Sequence, residues 1–219
     1  MRKLLLLCSL FLLSACGPSA EELVAEYRGR AEPRLASIAE IATTAATHKA
    51  ELKAPSPAEK LRFTGDAGNA GLVMVAELDV DPATKPGLDF YLDTFWLDYP
   101  RDCLAGNAGD APESVRLAFD KLLALKYLVV VRERLYSEPV ASDATSFLPG
   151  TWVADVLVYD IEKAELLGGW SVSATNSDTV DVNTSDPGKW LHSDLWSRAR
   201  REVGNVLATV SEDAKGLLG

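Results

Sequence analysis

The stretch TWVADVLVYD, Thr151 to Asp160, continued by the turn IEKAE and then by LLGGWSVSA, Leu166 to Ala174, decides the fold. In its first half Trp152, Ala154, Val156 and Val158 alternate with Val153, Asp155, Leu157 and Tyr159. That period of two sends successive side chains to opposite faces of a strand. Pro149-Gly150 marks a turn just before it. Two β-prone runs joined by a short turn predict an antiparallel hairpin, and Gly168 and Gly169 predict a bulge or the close approach of another backbone within it.

On the N-terminal side of the hairpin, Tyr127 to Val131 is an unbroken apolar run, the pattern of a strand covered on both faces, with Arg132 to Tyr136 prolonging it toward solvent. The run follows a helix whose start is written in Asp110-Ala111-Pro112-Glu113, with Asp110 as N-cap and Pro112 in the first turn. Val115, Ala118, Phe119, Leu122 and Leu125 form its apolar face. On the C-terminal side, a polar loop over 175–188 leads to a helix from about Lys189 to Asp213, with an apolar stripe through Leu191, Leu195, Ala199, Val203, Val206, Leu207 and Val210. A helix that follows a hairpin buries such a stripe against the sheet.

Earlier in the chain the signals are mixed. From Glu21 to Lys53 apolar residues recur at helical spacing, interrupted at Pro33, which predicts a kink or two helices meeting near Glu32. Ala54-Pro55-Ser56-Pro57 ends the pattern. A second hairpin is predicted from Lys60–Thr64, a turn containing Gly65, Gly68 and Gly71, and Leu72–Val80. Leu88 to Tyr99 fits one face of a short helix, although its aromatics also suit a strand. The expected fold is α+β: a mostly antiparallel sheet packed against N-terminal, central and C-terminal helices, as one domain over 21–219 with residues 21–53 as its N-terminal helical segment.

The 219-residue chain is 47% apolar and 25% charged, the composition of a folded protein. It carries 22 Lys plus Arg against 32 Asp plus Glu, a net charge of −10. A field of that sign repels phosphate backbones, so nucleic acid is not expected as a partner. The tight basic cluster Arg198, Arg200 and Arg201 lies on a helix beside Asp194 and Glu202 and reads as a solvated face.

The chain opens with Arg2-Lys3, an uncharged run from Leu4 to Leu13, and then Leu13-Ser14-Ala15-Cys16. A basic start, a short apolar run and small residues before a cut site are the parts of a secretory signal. The run is too short for a membrane span, which takes about 20 apolar residues. Leu13-Ser14-Ala15-Cys16 resembles the lipobox of bacterial lipoproteins. The resemblance implies a signal peptide over 1–15, lipidation of Cys16, and a tether over 16–20 that reaches about 13 Å when extended. Two or more acyl chains make a stable anchor, so the bilayer is the first expected partner. Gly17, in place of the Asp that retains such proteins in the inner membrane, implies a periplasm-facing protein of the outer membrane, with inner membrane or cell surface left open.

Two further likenesses are structural only. The segment VLVYDIEKAELLGGW resembles one strand-turn-strand unit of a β-propeller blade, but no second copy occurs at any period. The order helix, apolar strand, hairpin, helix from Pro112 to Asp213 resembles the small α/β modules of periplasmic assembly lipoproteins such as the curli-secretion and penicillin-binding-protein-activator groups. No diagnostic motif accompanies that order, and fold alone does not define function.

Candidate chemistry is sparse. With Cys8 in the leader and Cys16 lipidated, Cys103 is the remaining thiol. Paired with His192 it would make a nucleophile and base, but it lacks a local family signature, and Asp98 and Asp102 beside it oppose thiolate formation. It reads as a buried, inert thiol, with a partner-linking thiol as the alternative. Asp79, Asp81, Asp89, Asp93, Asp98 and Asp102 crowd one region without the Gly and terminal Glu of a calcium loop, and His48 and His192 share no ligand spacing. No phosphate-binding loop, nucleophile elbow, HExxH or paired CxxC occurs. Neither metal nor cofactor is called for.

The functional expectation is a non-catalytic lipoprotein that binds or scaffolds another component of the cell envelope. The aromatic stretch Phe90, Tyr91, Phe95, Trp96 and Tyr99 is its candidate partner surface, against the simpler reading that most of these rings are core. The alternative is a small-ligand binder with a pocket between sheet and helices lined by Trp152, Trp170 or Trp190. An enzyme using Cys103 or an acidic pair is the third class.

Overall fold

A computed structural model describes residues 17–65, 67–78, 87–88, 90, 92–109, 111–142, 146–180 and 186–214. The leader and Cys16 lie outside the described residues, as do Asp79, Val80, Asp81, Asp89, Tyr91 and the expected N-cap Asp110. Contacts divide the chain into two compact units. One holds the described residues up to Glu32 with Phe95–Leu123, and the other holds Pro33–Thr94 with the chain from Ala124 onward.

Helix α1 spans Ala20–Thr47. Its start is a capping box: Ser19 Oγ accepts from the Glu22 amide at 3.2 Å, and the Glu22 carboxylate accepts from the Ser19 amide at 2.8 Å. Of the two outcomes expected at Pro33, a kink or two helices meeting near Glu32, the second does not occur, since α1 runs through Pro33 as one helix. A proline at that position removes the bond to the carbonyl four residues back, here that of Gly29. Pro33 lies on the exposed face, where water can serve the freed carbonyl. The helix ends at Thr47 and not near Lys53 because the Arg132 guanidinium takes the carbonyls of Ala45 and His48 at 2.9 and 2.5 Å.

In the first unit, α1 contributes Leu23, Val24, Tyr27 and Ala31 as buried residues. Helix α2, Phe95–Leu104, buries Trp96, Leu97, Pro100 and Cys103. Helix α3, Pro112–Ala124, buries Val115, Ala118, Phe119 and Leu122, as its spacing predicts. Tyr27 joins α1 to α3: its ring stacks on Phe119 with centroids 5.1 Å apart, and its hydroxyl donates to Asp120 at 2.6 Å. Burial first, and then the Asp120 carboxylate, push the Tyr27 phenol up to about 12.

The second unit is built on a mixed sheet of four strands in the order β1-β2-β5-β6. These are β1 (Ala70–Met74), β2 (Tyr127–Ser137), β5 (Thr151–Asp160) and β6 (Glu165–Thr175). A separate ribbon, β3 (Val140–Ala141) with β4 (Phe147–Leu148), lies between β2 and β5 in the chain. Strands β2, β5 and β6 pair antiparallel in sequence order, with the β5–β6 hairpin where its alternation places it. Strand β1 pairs parallel to β2, Leu72 opposite Val129. The fold is therefore α+β with a mostly antiparallel sheet and helices packed on it.

The expected second hairpin is replaced by other pairings. Residues 60–62 wrap the side chain of Asn69, whose Oδ1 accepts from Arg62 N at 2.7 Å and whose Nδ2 donates to Lys60 O at 3.1 Å. Leu61 exchanges backbone hydrogen bonds with Val210 and Glu212 near the C-terminus. The Asp213 carboxylate then takes the amides of Phe63 and Thr64 and the Thr64 hydroxyl. Burial alone would raise the pKa of Asp213, but these donors hold it below the usual carboxylate range. The segment Leu88–Tyr99 divides likewise: Leu88 and Phe90 are fully buried in the sheet core, and the helix starts only at Phe95.

One face of the sheet carries Val129, Val131, Trp152, Ala154, Val156, Val158, Val172 and Ala174 in a single apolar cluster. Helix α4, Pro187–Leu207, covers it with Leu195, Ala199, Val203 and Leu207. Asp186 caps α4 and Pro187 opens its first turn, so the helix begins slightly before the sequence suggests and ends at Leu207 and not at Asp213. The opposite face is equally apolar in its middle, where Leu128, Val130, Leu157 and Tyr159 are fully buried.

Candidate functional site

The sheet turns polar where β2 passes beyond the end of β1. Register sets Arg132 opposite Asp155 and Asp155 opposite Ser171, one row across three strands. A register shift between Glu133 and Leu135 makes Arg134 the extra residue of a bulge. Arg134 Nη1 therefore also reaches Asp155, at 3.4 Å.

Asp155 is the centre of this network and is only 2% exposed. It accepts from Arg132 Nη2, from Arg134 and from Ser171 Oγ, the last at 2.7 Å. Burial pushes its pKa up, yet the hydrogen bonds from Arg132 and Ser171 and the two guanidinium charges outweigh it and hold Asp155 below the ordinary carboxylate range. Neighbouring Glu133 is committed to other donors: its carboxylate accepts from the amides of Gly87 and Leu88 and from Trp152 Nε1 at 2.9 to 3.2 Å.

The segment that follows α1 forms the other wall. Gly169 N donates to Lys53 O at 2.7 Å, and a Cβ at Gly168, whose φ is +137°, would stand 2.4 Å from the same oxygen. The paired glycines thus mark both a bulge and a backbone contact, as their position in the strand predicts. Between this segment and the polar row lies a cleft of about 960 Å³, lined among others by His48, Lys49, Glu51, Arg132, Arg134 and Ser171. Two of its lining residues carry a buried polar atom with no hydrogen-bond partner among the described residues: His48 Nε2 and Arg132 Nε. A third such atom, the Tyr159 hydroxyl, belongs to a phenol raised to about 12 by burial.

The Ser171 hydroxyl in the cleft is not activated as a nucleophile. Ser171 Oγ already donates to Asp155, a carboxylate of lowered pKa and so a weak base. Cys103 is 1% exposed, and burial, with Asp102 adding to it, raises its thiol pKa. His192 packs edge-on against Tyr136 with ring centroids 6.5 Å apart. Of the acidic crowd, Asp93, Asp98 and Asp102 are described, and among the described residues no three metal-ligating side chains cluster.

The aromatic stretch divides. Phe90 is fully buried against Trp152, centroids 5.3 Å apart, and Trp96 is 6% exposed, so neither presents a surface to a partner. Phe95 and Tyr99 are half-buried and stack on one another at 4.9 Å, and Tyr91 lies outside the described residues. Trp152 fills the core and Trp190 is 41% exposed, while Trp170, half-buried against the core, is the indole of the three that lines the cleft. In the basic cluster Arg200 departs from a solvated face, lying over the Trp196 ring at 4.3 Å and donating to Phe90 O at 2.6 Å.

Of the cleft's lining residues, the sequence singles out His48, Gly169 and Trp170, but does not mark the polar row Arg132, Arg134, Asp155 and Ser171 as a site. The readable signal was Asp155, an acid in an otherwise apolar strand, together with two arginines two positions apart at the end of an apolar run. A charge in a buried register needs a partner of opposite sign, and Arg132 and Arg134 were the nearest in the pattern.

No family model matches the chain, and no curated protein matches it. Among solved structures, the hypothetical protein CT253 from Chlamydia trachomatis is similar at 15% identity, over 51% of this chain and 62% of that chain, with a TM-score of 0.28. A likeness that distant carries no argument about fold or function. Among the described residues, no helix is long and apolar enough to cross a membrane.

Proposed function

We propose that the chain is a bacterial lipoprotein, anchored through acylated Cys16 and facing the periplasm from the outer membrane, that binds another envelope component without catalysing a reaction on it. The observation that carries the reading is the junction of lipobox and fold: Leu13-Ser14-Ala15-Cys16 is followed, three residues beyond Cys16, by Ser19 capping α1. Such a junction holds a folded protein against its bilayer. Mass spectrometry of the mature N-terminus tests it: the expected species begins at diacylated or triacylated Cys16, and Cys16→Ser abolishes both cleavage at that site and membrane retention. An unmodified terminus beginning elsewhere refutes the anchor.

The cleft favours a second reading, that the component bound is a small ligand. Binding clefts combine a concave wall with a few fixed polar groups, and the row Arg132, Asp155, Ser171 supplies such groups on a rigid sheet. For a protein partner, the aromatic segment offers Phe95 and Tyr99.

A further inference from the structure

The cleft beside β6 carries an inference about the chemistry of its ligand, which rests on the ligand-binding reading but not on the anchor. We infer that it binds a small oxyanion, the carboxylate or phosphate group of a small molecule, taken by Arg134 and Lys49 and positioned by Arg132. Three cationic side chains line it in a chain of net charge −10. Two of the three lining carboxylates are committed within the fold: Glu133 to backbone amides and Trp152, and Asp155 to Arg132 and Ser171. Glu51 is the remaining acid on the wall. Arg134 is 54% exposed and holds Asp155 by a single 3.4 Å contact, so its other donors face solvent.

The orphaned atoms point the same way. Arg132 uses Nη1 on two carbonyls and Nη2 on Asp155, which leaves Nε–H buried without an acceptor. Guanidinium has donors and no acceptor, so only an acceptor satisfies it. His48 Nε2, on the same cleft, is likewise unpartnered and donates when it carries the ring proton. A buried polar atom without a partner is unfavourable, and both atoms belong to residues of the cleft wall. A neutral apolar ligand offers no acceptor to Arg134 or Lys49.

The test is titration of the purified full chain in a non-ionic detergent with inorganic phosphate and, separately, with succinate. The Nε–H resonances of ¹⁵N-labelled arginine report the binding, with chloride held constant. We expect saturable shifts confined to the Arg132 and Arg134 signals with at least one anion, and a loss of affinity of at least tenfold in Arg134→Ala and in Lys49→Ala. Both sites are exposed, so the folded spectrum should otherwise persist. Response to phosphate alone or to succinate alone assigns the ligand class. No saturation with either anion, equal shifts at arginines outside the cleft such as Arg116, or unchanged affinity in Arg134→Ala overturns the inference. Because acylation of Cys16 is measured separately, a chain can fail this test and still be a lipoprotein, or pass it without being one.

Discussion

Replacing Asp155 by Ala removes the acceptor on which two arginines and a serine converge. Asp155 is 3% exposed at its side chain and its main partner Arg132 is 15% exposed, so the pair is shielded from solvent screening. Breaking a buried ion pair from one side typically costs about 3–5 kcal/mol, because the remaining charge stays buried without compensation. Urea denaturation of the wild type, Asp155→Ala, Arg132→Met and the double variant gives the cycle that apportions this. Buried pairs replaced from both sides by apolar groups are often near neutral. Here the double variant should stay less stable than wild type, by about 1–3 kcal/mol, because Arg132 also serves the carbonyls of Ala45 and His48. The pH dependence has a definite sign. The folded-state pKa of Asp155 is depressed, so its stabilisation is complete above the unfolded value near 4 and is lost as pH falls through the folded value. Asp155→Ala should therefore weaken the acid limb of the stability profile. A loss below about 0.5 kcal/mol in Asp155→Ala would refute the network as a stabilising element, and full stability in the double variant would refute the capping role of Arg132.

Leu195→Asp puts a carboxylate into the apolar cluster under α4 and should cost several kcal/mol, about 3–5, in the same assay; Val206→Asp, at a half-buried position, should cost less. Gly168→Ala meets both an unfavourable φ and the Lys53 carbonyl, and a loss of about 2–4 kcal/mol is expected; a neutral result would show that the 53–55 segment yields without cost. Cys103 should react with a thiol reagent slowly in native protein and rapidly in denaturant, because both access and thiolate fraction are low. Fast native labelling at neutral pH, or a partner retained only on non-reducing gels and lost in Cys103→Ala, would contradict its burial.

What could be read in advance follows from range. The β5–β6 hairpin, the apolar run of β2, the face of α3 and the stripe of α4 are set by periodicity within about twenty residues, and all four appear where the pattern puts them, except that α4 ends at Leu207 and leaves Val210 outside the helix. The failures were long-range. Nothing near Leu61 announces that its partner is the segment around Val210, and nothing in Ala70–Met74 distinguishes a strand that pairs back locally from one that pairs parallel with Tyr127–Val131. Pro33 does not end α1, because its cost depends on whether the freed carbonyl meets water, which is a matter of exposure. The aromatic segment looked like a surface because rings serve cores and interfaces alike. The cleft is hidden for the same reason as the pairings: Lys49, Arg134 and Ser171 are brought together only when the segment after α1 has assembled with β2 and β6.

The parallel pairing of β1 with β2 has a kinetic consequence. Between Met74 and Tyr127 the chain runs through the whole of α2 and α3 before it returns to the sheet. Antiparallel neighbours β5 and β6 close across a four-residue turn, whereas β1 can dock only after a long excursion whose closure entropy must be met before any ladder bond forms. The hairpin is thus placed to nucleate the sheet and β1 to complete it. Pulse-labelled hydrogen exchange during refolding should show amides of Val156–Val158 protected ahead of those of Leu72 and Val73, and the edge occupied by β1 should open first when the native protein fluctuates.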